Sequence, residues 1–152
     1  MERIAVFPGS FDPITKGHES IVKRAIPLFD KIIIAIGINS SKNSMFDLEQ
    51  RKLWIKNTFK TNPTIEVVTY TGLTVDFCKA QNANFILRGL RSYSDFEYES
   101  GIAQMNKSLI SNVETVFLLT EPECSHISST IVRDIIRNNG KVEQFLPNAV
   151  TL

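Results

Sequence analysis

The residue pattern predicts an α/β fold: a doubly wound, five-stranded parallel sheet with helices on both faces. Three observations carry this. Short apolar, β-branched runs of strand length alternate with helix-period segments along the whole chain. That alternation implies right-handed βαβ crossovers, which make a sheet parallel and cover both its faces. The 152 residues are the length of one domain, and 43% hydrophobic with 22% charged residues excludes a disordered or fibrous chain. Residues 1–152 are therefore expected to form a single domain, with no internal repeat, low-complexity segment or linker.

The first strand is expected over Ile4–Phe7, followed by the turn Pro8-Gly9-Ser10. A helix then opens at Thr15-Lys16-Gly17-His18 and runs from Gly17 to Ala25, where Pro27 ends it. The second strand, Lys31–Ile38, is an almost unbroken apolar run, as a strand buried on both faces requires. The next helix starts at Asp47, with Gln50 completing a capping-box-like pair, and runs to Phe59. A strand at Thr64–Tyr70, a helix at Thr74–Gln81 and a strand at Asn84–Leu87 continue the alternation. The helix Ser94–Leu109 opens on Asp95-Phe96-Glu97-Tyr98-Glu99, acidic residues that complement a helix dipole. A last strand at Glu114–Leu119 and a helix at Ser128–Asn138, with Gly140 as its stop, complete the set.

A net charge of +1 gives no global field to gather nucleic acid or an anionic membrane, so any anion site must be local. The longest apolar run, Ile32–Ile38, is too short to span a bilayer, and Glu2, Arg3 and Pro8 stand where a signal peptide needs apolar residues. A cytoplasmic location is expected. Cys78 and Cys124 lie far apart without zinc-type spacing, which argues against a disulfide scaffold or a structural metal.

In an open parallel sheet, ligands bind outside the carboxyl ends of the strands, so the loops there are read together. They carry Ser10 and the Thr15–His18 turn, Lys42, Thr71–Thr74, Arg88–Arg91, and Ser125–Thr130. Singly, each has an ordinary structural role: a solvated lysine, arginines paired with carboxylates, a serine N-cap. Jointly, Ser10, His18, Lys42, Arg88, Arg91 and the helix mouth at Ser128 would surround one crevice. A helix dipole disfavours a histidine cation in the first turn, so helix stability alone gives no reason for His18.

Cations, hydroxyls and free helix N–H groups suit polyphosphate. No GxSxG elbow, Walker GxxxxGK[ST] or GxGxxG is present, and Cys78 has no adjacent histidine, which excludes the usual acyl-transfer, P-loop and dinucleotide sites. What remains is a phosphate site without a nucleophile or general base of its own. Such a site can run the attack of an already anionic oxygen on a nucleotide phosphorus. No carboxylate cluster offers a metal cage, so magnesium is expected to arrive on the nucleotide's phosphates.

The blocks PGSFDPITKGH (8–18), Ser41-Lys42 with Met45-Phe46, ILRGLRSYSDFEYE (86–99), Met105-Asn106 and ISSTIVR (127–133) make the chain resemble the bacterial phosphopantetheine adenylyltransferases. TxGH marks the wider nucleotidyltransferase superfamily and its Rossmann-like fold. RGLR with DFEYE is narrower. The resemblance implies transfer of AMP from ATP to 4′-phosphopantetheine in coenzyme A synthesis. It gives His18 the charge on the α-phosphate, and Lys42 and Arg88 the acceptor's phosphate. Ser10 would touch both substrates. Phe11, Gly89, Leu90, Arg91, Glu99, Cys124, Ser125, His126, Ile127, Ser128, Ser129 and Thr130 would hold ATP; Leu73, Thr74 and Asn106 would line the pantetheine arm. It also implies a homohexamer and coenzyme A as a competing inhibitor.

Phe7, Ser10, Cys124 and Thr130 depart from the family's usual tyrosine, threonine, aromatic and serine, and at Cys124 the contacts expected to adenine are those of the backbone. The chain ends at Leu152, so oligomer contacts made by the C-terminal helix that many members carry are not carried over to it. Two other readings stay open: the same chemistry on another phosphorylated acceptor such as nicotinamide mononucleotide, and a nucleotide-binding regulatory module without turnover. Only the RGLR and DFEYE blocks separate the acceptors. Intact His18, Lys42 and Arg88 speak against a pure sensor.

Overall fold

A computed structural model describes residues 1–152 and contains five strands: β1 (Ile4–Gly9), β2 (Lys31–Gly37), β3 (Ile65–Tyr70), β4 (Phe85–Leu90) and β5 (Glu114–Leu119). They alternate with α1 (Lys16–Ala25), α2 (Leu48–Thr58), α3 (Thr74–Ala80), α4 (Tyr93–Leu109) and α5 (Ser129–Arg137). All pairings are parallel, in the order β3-β2-β1-β4-β5, which is the doubly wound sheet the alternation predicts. Alternate residues of each strand enter opposite cores, as a two-residue period demands. Phe7, Ile32, Ile34 and Ile36 pack against Ile21 and Val22 of α1 and Trp54 and Ile55 of α2. Ile4, Val6, Ile33 and Ala35 pack on the other face with Val75 and Cys78 of α3.

Two strands run further than their apolar runs suggest. Arg88, Gly89 and Leu90, expected in a loop, are strand residues paired with Phe117, Leu118 and Leu119 of β5. Gly9 likewise belongs to β1, opposite Ile36. The β1–β4 ladder, by contrast, covers only Ala5↔Phe85 and Val6↔Ile86. Pro8 has no N–H to continue it, and its carbonyl accepts instead from Arg88 Nη1 at 2.8 Å. Past that point the two central strands part, and the sheet opens at its topological switch point.

Helix ends differ in detail from the sequence reading. Asp47 caps α2 by accepting the Gln50 N–H at 2.8 Å, but the complete capping box lies at α1, on Thr15 and His18. The left-handed residue after α5 is Asn139 (φ 59°), not Gly140. Gly140 follows because its N–H donates to Ile135 O at 2.8 Å, and a Cβ there would lie 2.5 Å from Ile135 Cγ2. No helix is long and apolar enough to cross a membrane.

Candidate active site

Where β1 and β4 part, two cavities of about 520 and 400 Å³ meet, and Pro8, Gly9, Ser10, Lys42, Arg88 and Glu99 line both. The smaller lobe lies over the α1 and α5 N-termini and brings His18, Arg91 and Ser128 together with the shared Ser10, Lys42 and Arg88. Every member of the constellation expected around one crevice is therefore present. Phe11, Gly89, Cys124, Ile127, Ser129 and Thr130 line the same lobe. Ser125, His126 and Leu90 do not: Ser125 closes a turn on Pro122 O, the His126 ring packs edge-on to Phe145, and Leu90 is buried. The larger lobe takes Thr74, Asn106, Ile102 and Tyr70, whose hydroxyl lies 2.9 Å from Thr74 Oγ1. Leu73, at the N-cap of α3, is exposed outside that lining.

His18 occupies the third position of α1, and here the fold does ask for it. The Thr15 N–H donates to His18 Nδ1 at 3.0 Å, and the His18 N–H donates to Thr15 Oγ1 at 3.4 Å. That is a capping box with imidazole in the place usually taken by glutamate or glutamine. The idea that helix stability gives no reason for His18 is thus corrected. An Nδ1 that accepts an N–H carries a lone pair, so the neutral ring holds its proton on Nε2, the nitrogen left to face the cavity. Phe11 and Phe7 pack edge-on to the ring, with centroids 5.0 and 6.2 Å away. Desolvation, reinforced by the positive charges of Arg88 and Arg91, pushes the His18 pKa down to about 4. The site thus holds a neutral histidine as a fixed N–H donor.

Both strand-end arginines are braced by α4. Arg88 Nε donates to Glu99 Oε2 at 2.9 Å, and its Nη2 pairs with the other carboxylate oxygen. The Glu99 carboxylate is therefore already engaged at the junction of the lobes. Arg91 donates from Nε to Asp95 Oδ2 at 3.3 Å and from Nη1 to Ile127 O at 3.2 Å. Lys42 forms no ion pair. Gly89 admits α1 to this floor, since a Cβ there would lie 3.0 Å from Ile21 Cγ1.

The polar or charged residues that are buried, Asp12, Thr15 and Arg51, all lie beneath this site. Buried polar groups are costly unless hydrogen-bonded, and each of these is. Arg51 donates to Ser10 O at 2.7 Å and Phe46 O at 3.0 Å. Asp12 accepts from Met45 N–H at 2.8 Å and Phe46 N–H at 2.9 Å. Sequence reading missed all but Thr15 as participants. Arg51 had a signal, because it precedes Trp54 and Ile55 by three and four positions on the buried face of α2. Burial raises the Cys78 thiol to about 11, and burial with Glu121 and Glu123 raises that of Cys124, so neither is an activated nucleophile. No group of three or more His, Cys, Asp or Glu side chains could hold a metal ion.

The Cytidylyltransferase-like family profile matches residues 6–135. A phosphopantetheine adenylyltransferase of Flavobacterium johnsoniae is 59% identical over 148 residues, covering 97% of each chain. One from Flavobacterium psychrophilum is 58% identical over 148 residues, again covering 97% of each. Among solved structures, a bifunctional NMN adenylyltransferase/ADP ribose pyrophosphatase of Francisella tularensis superposes with a TM-score of 0.75 at 18% identity. The match covers 99% of this chain and 46% of that longer one, and it speaks to the fold alone. Identity at this level over nearly the full length, together with the TxGH helix mouth and the RGLR strand, shows that the chain belongs to the phosphopantetheine adenylyltransferases of the cytidylyltransferase-like superfamily.

Proposed function

We propose that this protein transfers the adenylyl group of ATP to 4′-phosphopantetheine, releasing pyrophosphate and forming dephospho-coenzyme A. The observation that carries the reading is the pair of lobes that share Ser10, Lys42 and Arg88. A reaction between two phosphates needs both reactants in one crevice, with cations and N–H donors where their charges meet. In this reading the smaller lobe holds ATP. Ser10, Phe11, Gly89 to Arg91 and Cys124 to Thr130 surround it, with Glu99 acting through Arg88. The larger lobe holds the pantetheine arm beside Thr74 and Asn106, with Leu73 at its mouth, and Lys42 and Arg88 take the acceptor's phosphate.

The acceptor phosphate, an anion near neutral pH, attacks the α-phosphorus in line. The bond to the β-phosphate oxygen breaks, and pyrophosphate leaves with its electrons. No side chain need be deprotonated first. His18 contributes a neutral Nε2–H aimed at the charge growing on the α-phosphate, and because its proton is already placed, little reorganisation accompanies the reaction. Magnesium enters as part of the MgATP substrate, since the donor set offers no protein cage.

Residues 1–152 act as one nucleotidyltransferase domain, in the cytoplasm, as a homohexamer that coenzyme A can inhibit by competing for the acceptor lobe. Support for self-association is the apolar stripe on α4, from which no residue is buried. The test is pyrophosphate release from ATP with a panel of phosphorylated acceptors. Phosphopantetheine should be preferred by a large factor, with a ternary complex in initial-rate kinetics and inversion at a chiral α-phosphorothioate. Ping-pong kinetics with retention would indicate an adenylylated enzyme, and equal use of nicotinamide mononucleotide would reject the acceptor assignment.

A further inference from the structure

Lys42 sits in a ten-residue connection, 38–47, between β2 and α2, and something must hold it at the junction of the lobes. We propose that Asp12 is the positioning residue for Lys42: its buried carboxylate clamps two successive amides of this loop, although it lines neither lobe. The inference rests on the reading above that Lys42 meets the acceptor's phosphate.

Beyond Ile38, whose N–H donates to Tyr70 O at 2.8 Å, the first half of the loop is fastened only to itself. Lys42 N–H donates to Asn39 O at 3.1 Å, and Asn39 Oδ1 accepts from the Ser41 N–H at 3.0 Å. The second half is tied to β1's own turn. Asp12 Oδ2 accepts from Met45 N–H at 2.8 Å and Oδ1 from Phe46 N–H at 2.9 Å, one amide for each oxygen. Only a carboxylate can serve both, since an asparagine there would set its NH2 against one of the two donors. Asp12 is itself held, because its carbonyl accepts from Arg133 Nη1 at 2.7 Å and the residue is only 5% exposed. Lys42 lies three residues before Met45 and has no ion pair to settle it. Its distance from the acceptor's phosphate is therefore set by the Asp12 clamp on Met45 and Phe46, with Arg51 holding the Phe46 carbonyl at 3.0 Å from the other side of the same peptide run.

Binding of phosphopantetheine and of pantetheine, measured by titration calorimetry on the wild type, Asp12→Asn, Lys42→Ala and the double variant, tests this. Pantetheine lacks the phosphate and serves as the control. Asp12→Asn should weaken phosphopantetheine about tenfold while shifting pantetheine much less, and the double variant should bind no worse than Lys42→Ala alone, because the two act through one contact. Normal phosphopantetheine binding by Asp12→Asn, or losses that add in the double variant, would overturn the positioning role. Unchanged binding by Lys42→Ala would overturn the acceptor-phosphate reading itself, and the positioning role with it. A measurement on the unmutated protein covers the case in which Asp12→Asn fails to fold. Hydrogen exchange at the Met45 and Phe46 amides should be slower than at Asn43 and Ser44, and equal rates would also overturn the clamp.

Discussion

In the proposed mechanism His18 does two jobs with its two nitrogens, and they can be separated. Nδ1 closes the α1 capping box, while Nε2 is left for the substrate. His18→Ala should lower kcat about 10²-fold or more, the usual cost of removing a donor realised in the transition state, and should change ATP binding far less. It should also lower stability by about 1 kcal/mol, because a capping contact is lost. His18→Glu restores the ordinary capping-box acceptor and has no donor, so it should recover the melting temperature and leave kcat low. A kcat near wild type in either variant would end the donor assignment. The lowered pKa makes a second prediction. His18 titrates at about 4 in the folded chain and at about 6.5 when unfolded, so between those values the unfolded state binds the extra proton. Its contribution to stability is therefore complete above pH 6.5 and is lost as pH falls toward 4. Chemical denaturation across that window should give a decline in the wild type that flattens in His18→Glu, and an equal slope in both would refute the assignment.

At the scale of elements, one helix braces another element's cation: Glu99 on α4 forks onto Arg88 on β4. Truncating one partner of a largely buried charge pair typically costs 2 kcal/mol or more, and the partial exposure of Arg88 reduces that to about 1 to 2 kcal/mol here. Glu99→Ala should therefore raise the acceptor's KM about tenfold and the nucleotide's much less; the opposite pattern would return Glu99 to a direct role at ATP. The sequence made the order and type of all ten strands and helices legible, since a period of two or of 3.6 survives any tertiary arrangement. The ends of β1 and β4 were less legible. Periodicity cannot report that β4 stays paired with β5 after β1 has left it, although Pro8, a proline in a central strand, was the available sign. The site's cations were legible because phosphate chemistry demands them. Their supports were not, because Asp12 binds main-chain amides of the β2–α2 loop more than thirty residues away, which no local spacing encodes.

For the molecule as a whole, the sheet is covered unevenly. One face carries a cluster of fifteen buried residues and the other a cluster of nine, and α4 contributes to neither. Yet α4 presents Tyr98, Ile102, Met105 and Leu109, at spacings of four, three and four, with exposures of 71, 39, 67 and 58%. That is one continuous stripe along a helix that also contributes Glu99 and Asn106 to the crevice. An apolar stripe left in water by a 152-residue chain is an interface more often than an accident, and a second copy of the same helix would bury it in a closed, symmetric assembly. For the homohexamer proposed above, sedimentation equilibrium should give a mass six times the 17.2 kDa protomer. Met105→Glu, at a residue that lines neither lobe, should shift the population to smaller species. Because the stripe and the crevice share α4, that dissociation should also weaken phosphopantetheine binding, and ATP binding less, since the smaller lobe lies over the α1 and α5 N-termini and only Asp95 and Glu99 of α4 line it. A Met105→Glu protein that sediments as the wild type would show that the stripe is not the contact surface, and a monomeric wild type would remove the hexamer altogether.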